Sequence, residues 1–213
     1  METQVAPGDQ LKNRFRGFYP VIVDVETAGL CSQTDALLEI GAYFVRMTPT
    51  GTLETEEHFH AHVKPFEGAN LDKEALEFNG IDPFNPLRGA IDEKEAISSF
   101  FKAVDKKRKK AGCIRAVMVA HNAMFDFGFI NAAARRSRIT KSPFHPFTAF
   151  DTATLAGFVY GQTVLAKACA AAGVEYSTSE AHGALYDSKV EAELFCRMVN
   201  RYRVLGGWPL RYE

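Results

Sequence analysis

Pro20-Val21-Ile22-Val23-Asp24-Val25-Glu26-Thr27 is the stretch on which the reading of this chain turns. Four β-branched apolar residues behind a proline describe a strand buried on at least one face and central to a sheet. Side chains alternate along a strand, so Asp24 and Glu26 leave it on the same face, about 7 Å apart. Two carboxylates that close on a rigid strand repel each other, and a divalent cation between them relieves the repulsion. A strand end whose acids have simply reached water carries the same local pattern, so the remaining chain has to decide.

With 213 residues, 46% of them hydrophobic and 24% charged, the chain has the makeup of an ordinary globular protein with one sizeable core. No linker composition divides it, so the expectation is a single domain over residues 13–213 behind a disordered tail of residues 1–12. Nothing is apolar and long enough to span a membrane, and residues 1–10 lack the apolar run of a secretory signal; a cytoplasmic protein is expected. Cys31, Cys113, Cys169 and Cys196 are isolated, which points away from a zinc framework or disulfides. The net charge of −1 argues against a polyanionic partner only on average. Lys102, Lys106, Lys107, Arg108, Lys109, Lys110 and Arg115 crowd one segment, and Arg135, Arg136, Arg138 and Lys141 another. Local basic patches beside an acidic pocket suit a metal-dependent enzyme acting on a polyanion.

After the first strand, residues 37–45 and 57–63 read as two more strands joined by short turns, an antiparallel meander. His58, His60 and His62 share one face of the third, which reads as a solvated sheet face because no further Cys or His cluster completes a coordination shell. A short helix follows, capped by Asn70 and closed by Asn79-Gly80, with Glu74 and Phe78 on one face. Residues 92–110 form a longer helix opening on an Asp92-x-x-Glu95 capping box. Its terminal cations suit the helix dipole as well as they suit a nucleic acid, and both readings stand. A strand at 115–120, a helix opening near His121-Asn122, a strand end at 149–152, an alanine-rich helix at 163–172 and a helix over 183–202 complete a mixed α/β sheet.

Three separated stretches put acids where strands end or helices begin: Asp24 and Glu26, then Asp126 four residues beyond Asn122, then Asp187 five residues after His182. Four converging acids require cations, and hard oxygen ligands suit Mg²⁺ or Mn²⁺. Two ions about 4 Å apart can hold a phosphodiester and activate water, and a nearby histidine can take the proton at neutral pH.

Asp24-x-Glu26, Asn122-x-x-Phe125-Asp126 and His182-x-x-x-x-Asp187, in this order, resemble the three exonuclease motifs of the DEDD superfamily in its histidine subtype. Further stretches are similar to the ribonuclease T family within it: Arg14 to Pro20, Val25 to Gly29, Glu74 to Pro83, Pro143 to Phe147 and Leu205 to Leu210. The resemblance covers nearly the whole chain. It implies a ribonuclease H-like mixed five-stranded sheet flanked by helices, and a homodimer. The implied activity is Mg²⁺-dependent 3′-to-5′ hydrolysis, two ions per site, of the single-stranded ends of transfer RNA and other stable RNAs, and of single-stranded DNA. Carried over, Asp24, Glu26, Asp126 and Asp187 become metal ligands and His182 the general base. Leu30, Glu74, Phe78, Phe125 and Phe147 match positions that contact terminal bases, where aromatic stacking is worth roughly 1–3 kcal/mol per base. The departure is Leu30, where the family often has phenylalanine and where a leucine offers no π-face. Arg14, Arg16 and Arg115 match a basic surface that in the family serves the partner subunit's site, and Lys109, from the Lys106 to Lys110 run, is expected to join them. A proofreading or oligoribonucleotide-clearing exonuclease, or a noncatalytic RNA-end binder on the same fold, are the rival readings.

Overall fold

The computed structural model describes residues 10–178, 181 and 183–208. A five-stranded mixed sheet carries the molecule, with β1 (Phe18–Thr27), β2 (Leu37–Met47), β3 (Leu53–His62), β4 (Arg115–Ala120) and β5 (Phe144–Asp151) in the order β3-β2-β1-β4-β5. The first three strands form the expected antiparallel meander, and β4 joins β1 in parallel, followed by β5 in parallel on β4. β1 is central, and Val21, Ile22 and Val23 are wholly buried; consecutive buried residues point to opposite faces, so both faces of this strand are covered. The described α-helices are α1 (Leu11–Arg14), α2 (Lys73–Asn79), α3 (Glu93–Lys110), α4 (Met124–Arg136), α5 (Thr152–Tyr160), α6 (Leu165–Ala172) and α7 (Ala184–Val204), with α6 packed on α5 and α7. Among the described residues no single helix is long and apolar enough to cross a membrane.

Several local expectations change. Residues 1–9 of the expected tail lie outside the described residues, while Leu11 and Lys12 belong to α1, which buries Leu11 in the core. The cap of α2 is Asp72, whose carboxylate accepts the Ala75 N–H at 2.9 Å. Asn70 instead donates its side-chain amide to Asp35 Oδ1 at 3.0 Å. Asp92 precedes α3 without capping it, because its carboxylate faces Lys64 Nζ at 3.1 Å. The basic run at the end of α3 meets distant acids of β3 as well as Asp105 of its own helix. Lys107 lies between Glu56 (3.0 Å) and Glu57 (2.7 Å) of β3, Lys110 reaches Glu56 (3.2 Å), and Lys109 and Arg108 pair with Asp105. Counting charges along one segment therefore overstated the patch.

The packing of α7 rests on a residue with no side chain. Gly41 of β2 is the register partner of Asp24, and a Cβ built there would overlap the carbonyl of Ala184 and the amide of Leu185. The first turn of α7 thus lies directly on the sheet beside Asp24. Gly41→Ala should push that turn away and destabilise the protein by about 1–3 kcal/mol, the usual cost of overpacking. A urea or thermal unfolding midpoint indistinguishable from wild type would show that the contact tolerates a methyl group.

Candidate active site

The four acids singled out from sequence are delivered by three elements. β1 supplies Asp24 and Glu26. After β4 the chain turns sharply, with Asn122 in the left-handed region at φ 67°. Asp151 fixes this turn: one carboxylate oxygen accepts the Ala123 N–H at 2.8 Å and the other the Thr154 N–H at 2.7 Å, which caps α5. His121 is structural, bridging Thr152 Oγ1 (3.1 Å) and the Thr163 carbonyl (2.8 Å). The turn brings Asp126, in the first turn of α4, against the central strand, where its Oδ1 accepts the Val25 N–H at 3.0 Å. Val25 lies between Asp24 and Glu26, so this bond ties α4 to the acid pair. Asp187 comes from the first turn of α7, held down at Gly41.

Carboxylate oxygens of Asp24, Glu26 and Asp187 lie within 4.8 Å of one another, closer than the strand spacing alone implied. Asp126 adjoins them and is buried, as is Asp187. A fifth acid joins the cluster. Glu191, one helical turn after Asp187 on α7, is 1% exposed and is the strongest charge acting on Asp24. One of its oxygens accepts the backbone N–H of His121, whereas Oε2 is buried without a hydrogen-bond partner. The i+4 spacing from Asp187 was visible in the sequence, but a glutamate within a long amphipathic helix reads as solvent-facing.

Burial and mutual repulsion set the proton affinities. Burial first, then the charges of Glu39, Asp187 and Asp126, pushes Glu26 up to about 8, against a hydrogen bond from Asn79 that lowers it. Burial likewise pushes Asp126 up to about 8, partly offset by the Val25 N–H. Asp24 and Glu191 are raised well above the usual carboxylate range by burial and by their acidic neighbours. An all-oxygen donor set at this spacing, with a buried carboxylate oxygen left unsatisfied, fits hard divalent cations, whose octahedral ligands stand about 2.0–2.1 Å from the ion.

Of these acids Glu26 opens onto a cleft of 750 Å³ whose walls also include Leu30, Glu74, Phe78, Asn79 and Phe125. Four of the five residues matched to base contacts therefore share one cavity with a metal-site acid. Leu30 is 86% exposed and Phe78 70% exposed, an apolar surface within a polar rim. Phe125 is partly buried and packs on Phe129 at 5.0 Å. Phe147 is 78% exposed on β5, edge-on to His145, and lies outside the lining of this cleft. The loop carrying Leu30 is shaped by Asp35, which accepts hydrogen bonds from the Cys31 N–H, Thr34 Oγ1 and Asn70 Nδ2.

His182 lies outside the described residues. Arg16 and Arg115 stand at the opposite end of β1 and β4 from the acids, since Phe18 pairs with Arg115 while Asp24 and Glu26 are at the far end of β1. Arg14 is folded inward, its guanidinium 4.8 Å from the ring centres of both Phe15 and Trp208. His58 packs by the ring of Tyr43, but His60 and His62 are not a plain solvated face: Glu39 of β2, which sequence gave no reason to associate with them, joins the pair.

A family model described as an exonuclease matches residues 21–195. Ribonuclease T of Vibrio campbellii is 61% identical over 201 residues, 94% of this chain and 94% of that protein. Ribonuclease T of Shewanella oneidensis is 56% identical over 208 residues, 98% of this chain and 94% of its own. Among solved structures, the nuclease domain of a 3′-exonuclease described as a DEDDh family member, bound to rAMP, superposes with a TM-score of 0.65 at 22% identity, covering 92% and 96% of the two chains. Exonuclease I of E. coli with an oligonucleotide gives 0.67 at 16% identity over 90% of this chain and 43% of that one.

Carboxyl groups whose proton affinity is higher in the folded chain than in the unfolded one bind more protons when folded, so stability falls as pH rises from about 4.5 toward the folded values near 8. In chelator, the melting temperature should drop between pH 5 and 9, on the order of 5–10 °C, and Mg²⁺ should restore it at the alkaline end. Glu191→Gln should lessen the alkaline drop. A melting temperature flat across this range in chelator would contradict the electrostatic account of the cluster.

Proposed function

The chain belongs to the ribonuclease T family of 3′-to-5′ exonucleases, and on that premise we propose that it trims single-stranded 3′ ends of transfer RNA and other stable RNAs, and degrades single-stranded DNA. The observation that carries this reading is the meeting of Asp24, Glu26 and Asp187 within 4.8 Å, with Glu26 also in the wall of a cleft that holds exposed Leu30 and Phe78. Asp24, Glu26, Asp126 and Asp187 would hold two Mg²⁺ ions, with Mn²⁺ an acceptable substitute, since five clustered acids call for more than one divalent charge. When bound, the ions supply the positive charge that stabilises the phosphodiester in its transition state and acidifies the attacking water.

The chain's own groups do the rest. Phe78 and Phe125 grip the terminal base by stacking, which every base allows, while Leu30 wedges against it without a π-face. Glu74, at the cleft rim, is placed to accept hydrogen bonds from base or sugar donors. Phe147, outside the cleft lining, is assigned to the approach of the strand from the β5 side. His182 accepts the proton of the attacking water, a role that imidazole chemistry suits at neutral pH. Asp24→Asn should abolish hydrolysis in Mg²⁺ while leaving single-strand binding nearly intact, and unchanged turnover would sink the metal-site assignment. His182→Ala should slow hydrolysis by about 10²–10⁴ at pH 7, with part of the loss recovered as pH rises. Comparing rates on transfer RNA ends, short RNA and mismatched DNA primers separates this reading from a proofreading or oligoribonucleotide-clearing enzyme.

The basic surface is assigned to upstream phosphates across a homodimer. β1 places Phe18 and Glu26 eight residues apart, about 26 Å at strand rise, too far for Arg16 and Arg115 to hold the same terminal nucleotide as the acids of their own subunit. Arg16 and Arg115 are the core of this surface. Arg14 is packed among aromatic rings and Lys109 is paired with Asp105, so both contribute less than their sequence positions suggested. Mixing Asp24→Asn subunits with subunits carrying Arg16→Gln and Arg115→Gln should recover activity above either parent, because only the mixed dimer joins one intact acid centre to one intact basic face. No recovery, with mixed dimers confirmed by mass, would remove the arrangement in trans.

A further inference from the structure

The antiparallel registers lay two rows of side chains across β1, β2 and β3. Glu26 pairs with Glu39, and Glu39 with His62; Asp24 pairs with Gly41, and Gly41 with His60. Residues opposite one another in a ladder share a face, so Glu39, His60 and His62 stand on the same face of the sheet as the acid cluster, toward its β3 side. Glu39 is 7% exposed and turns both carboxylate oxygens to the histidines: Oε1 is 2.7 Å from His60 Nε2 and Oε2 is 3.8 Å from His62 Nδ1. The three ligand atoms all lie within 4.8 Å of one another.

We propose that Glu39, His60 and His62 form a second metal site, selective for Zn²⁺ or a similar borderline transition ion and distinct from the all-oxygen centre at Asp24. Tetrahedral Zn²⁺, with ligands about 2.0–2.2 Å away, sets its ligand atoms roughly 3.3–3.6 Å from one another. The contacts of 2.7 and 3.8 Å, each from a different oxygen of Glu39, stand on either side of that spacing, and with one ligand atom from each residue inside 4.8 Å small side-chain movements bring the three to an ion. The imidazole side chains are 28% and 31% exposed, which leaves an entry path and room for water as the fourth ligand. Two neutral nitrogens and one carboxylate are a poor cage for Mg²⁺ and a good one for Zn²⁺. Burial also lowers the proton affinity of His62, in keeping with the neutral ring that metal binding needs. One feature opposes the site: the guanidinium of Arg88, bonded to the Leu38 carbonyl at 2.7 Å, places positive charge near His62. It sets the affinity below that of a site without a neighbouring cation, while the carboxylate of Glu39 supplies the charge of opposite sign.

The alternative is a Glu39–His60 hydrogen bond that holds two strands together and binds nothing. The full-length chain, stripped of metal and then given millimolar Mg²⁺ to fill the acid centre, is titrated with Zn²⁺, and with Co²⁺ as a coloured probe. The expected result is one Zn²⁺ equivalent per chain, retained in Asp24→Asn, with nitrogen scatterers of imidazole in its X-ray absorption spectrum and a tetrahedral Co²⁺ spectrum. His60→Gln and His62→Gln should each weaken binding at least tenfold, with hydrolysis in Mg²⁺ alone unchanged. Should either variant fail to fold, the spectra of the wild type and of Asp24→Asn decide. Absence of a Zn²⁺ equivalent under Mg²⁺ excess, loss of that equivalent in Asp24→Asn, or unchanged binding in a folded His60→Gln/His62→Gln double variant would each overturn the proposal.

Discussion

Like charges held together against their repulsion are what the rest of this molecule is arranged around. Asp24 and Glu26 arrive on the central strand, Asp126 on α4, and Asp187 and Glu191 on α7, and no one element could hold more than two of them at this spacing. Among the described residues, the fold opposes the repulsion with hydrogen-bonded attachments. The Val25 N–H bonds Asp126, the His121 N–H bonds Glu191, and Asp151 fixes the turn that aims α4. Such a centre is costly without ions and compensated with them, so local strain and affinity for divalent charge have one cause.

Much of this was legible in the sequence because it depended on local chemistry. The alternation in Val21 to Glu26 gave both the central strand and the shared face of its acids, and short turns gave the meander. The helix start near Asn122 put Asp126 in a first turn, and the family resemblance carried by the three motifs then implied the ribonuclease H-like sheet. Glu26, Leu30, Glu74, Phe78 and Phe125 do share one cleft.

What stayed hidden depended on partners distant along the chain. The cations Lys107 and Lys110 looked unopposed until β3 brought Glu56 alongside. Glu191 looked like a surface glutamate because its burial is decided by the sheet beneath α7, not by its neighbours in the helix. Glu39 reads as one acid inside an apolar strand, and only the pairing of β2 with β3 sets it between two imidazoles. Gly41 carried no local signal for the same reason: its missing Cβ matters to Ala184, which is 143 positions away in a chain of 213.

The inward fold of Arg14 has a consequence for the chain's geography. Its guanidinium lies over rings of Phe15 before the first strand, of Tyr202 in the last turn of α7 and of Trp208 beyond it, so the two ends of the described chain meet. From Asp187 to Val204, α7 runs about 25 Å away from the acids at 1.5 Å per residue. Both ends therefore sit together at a distance from the cleft, the geometry in which circular permutation or a fused carrier domain leaves a catalytic pocket undisturbed. A short linker across this junction, with the chain reopened at the exposed turn of Pro49 and Thr50, would test how far the order of elements along the chain can be separated from their arrangement in space.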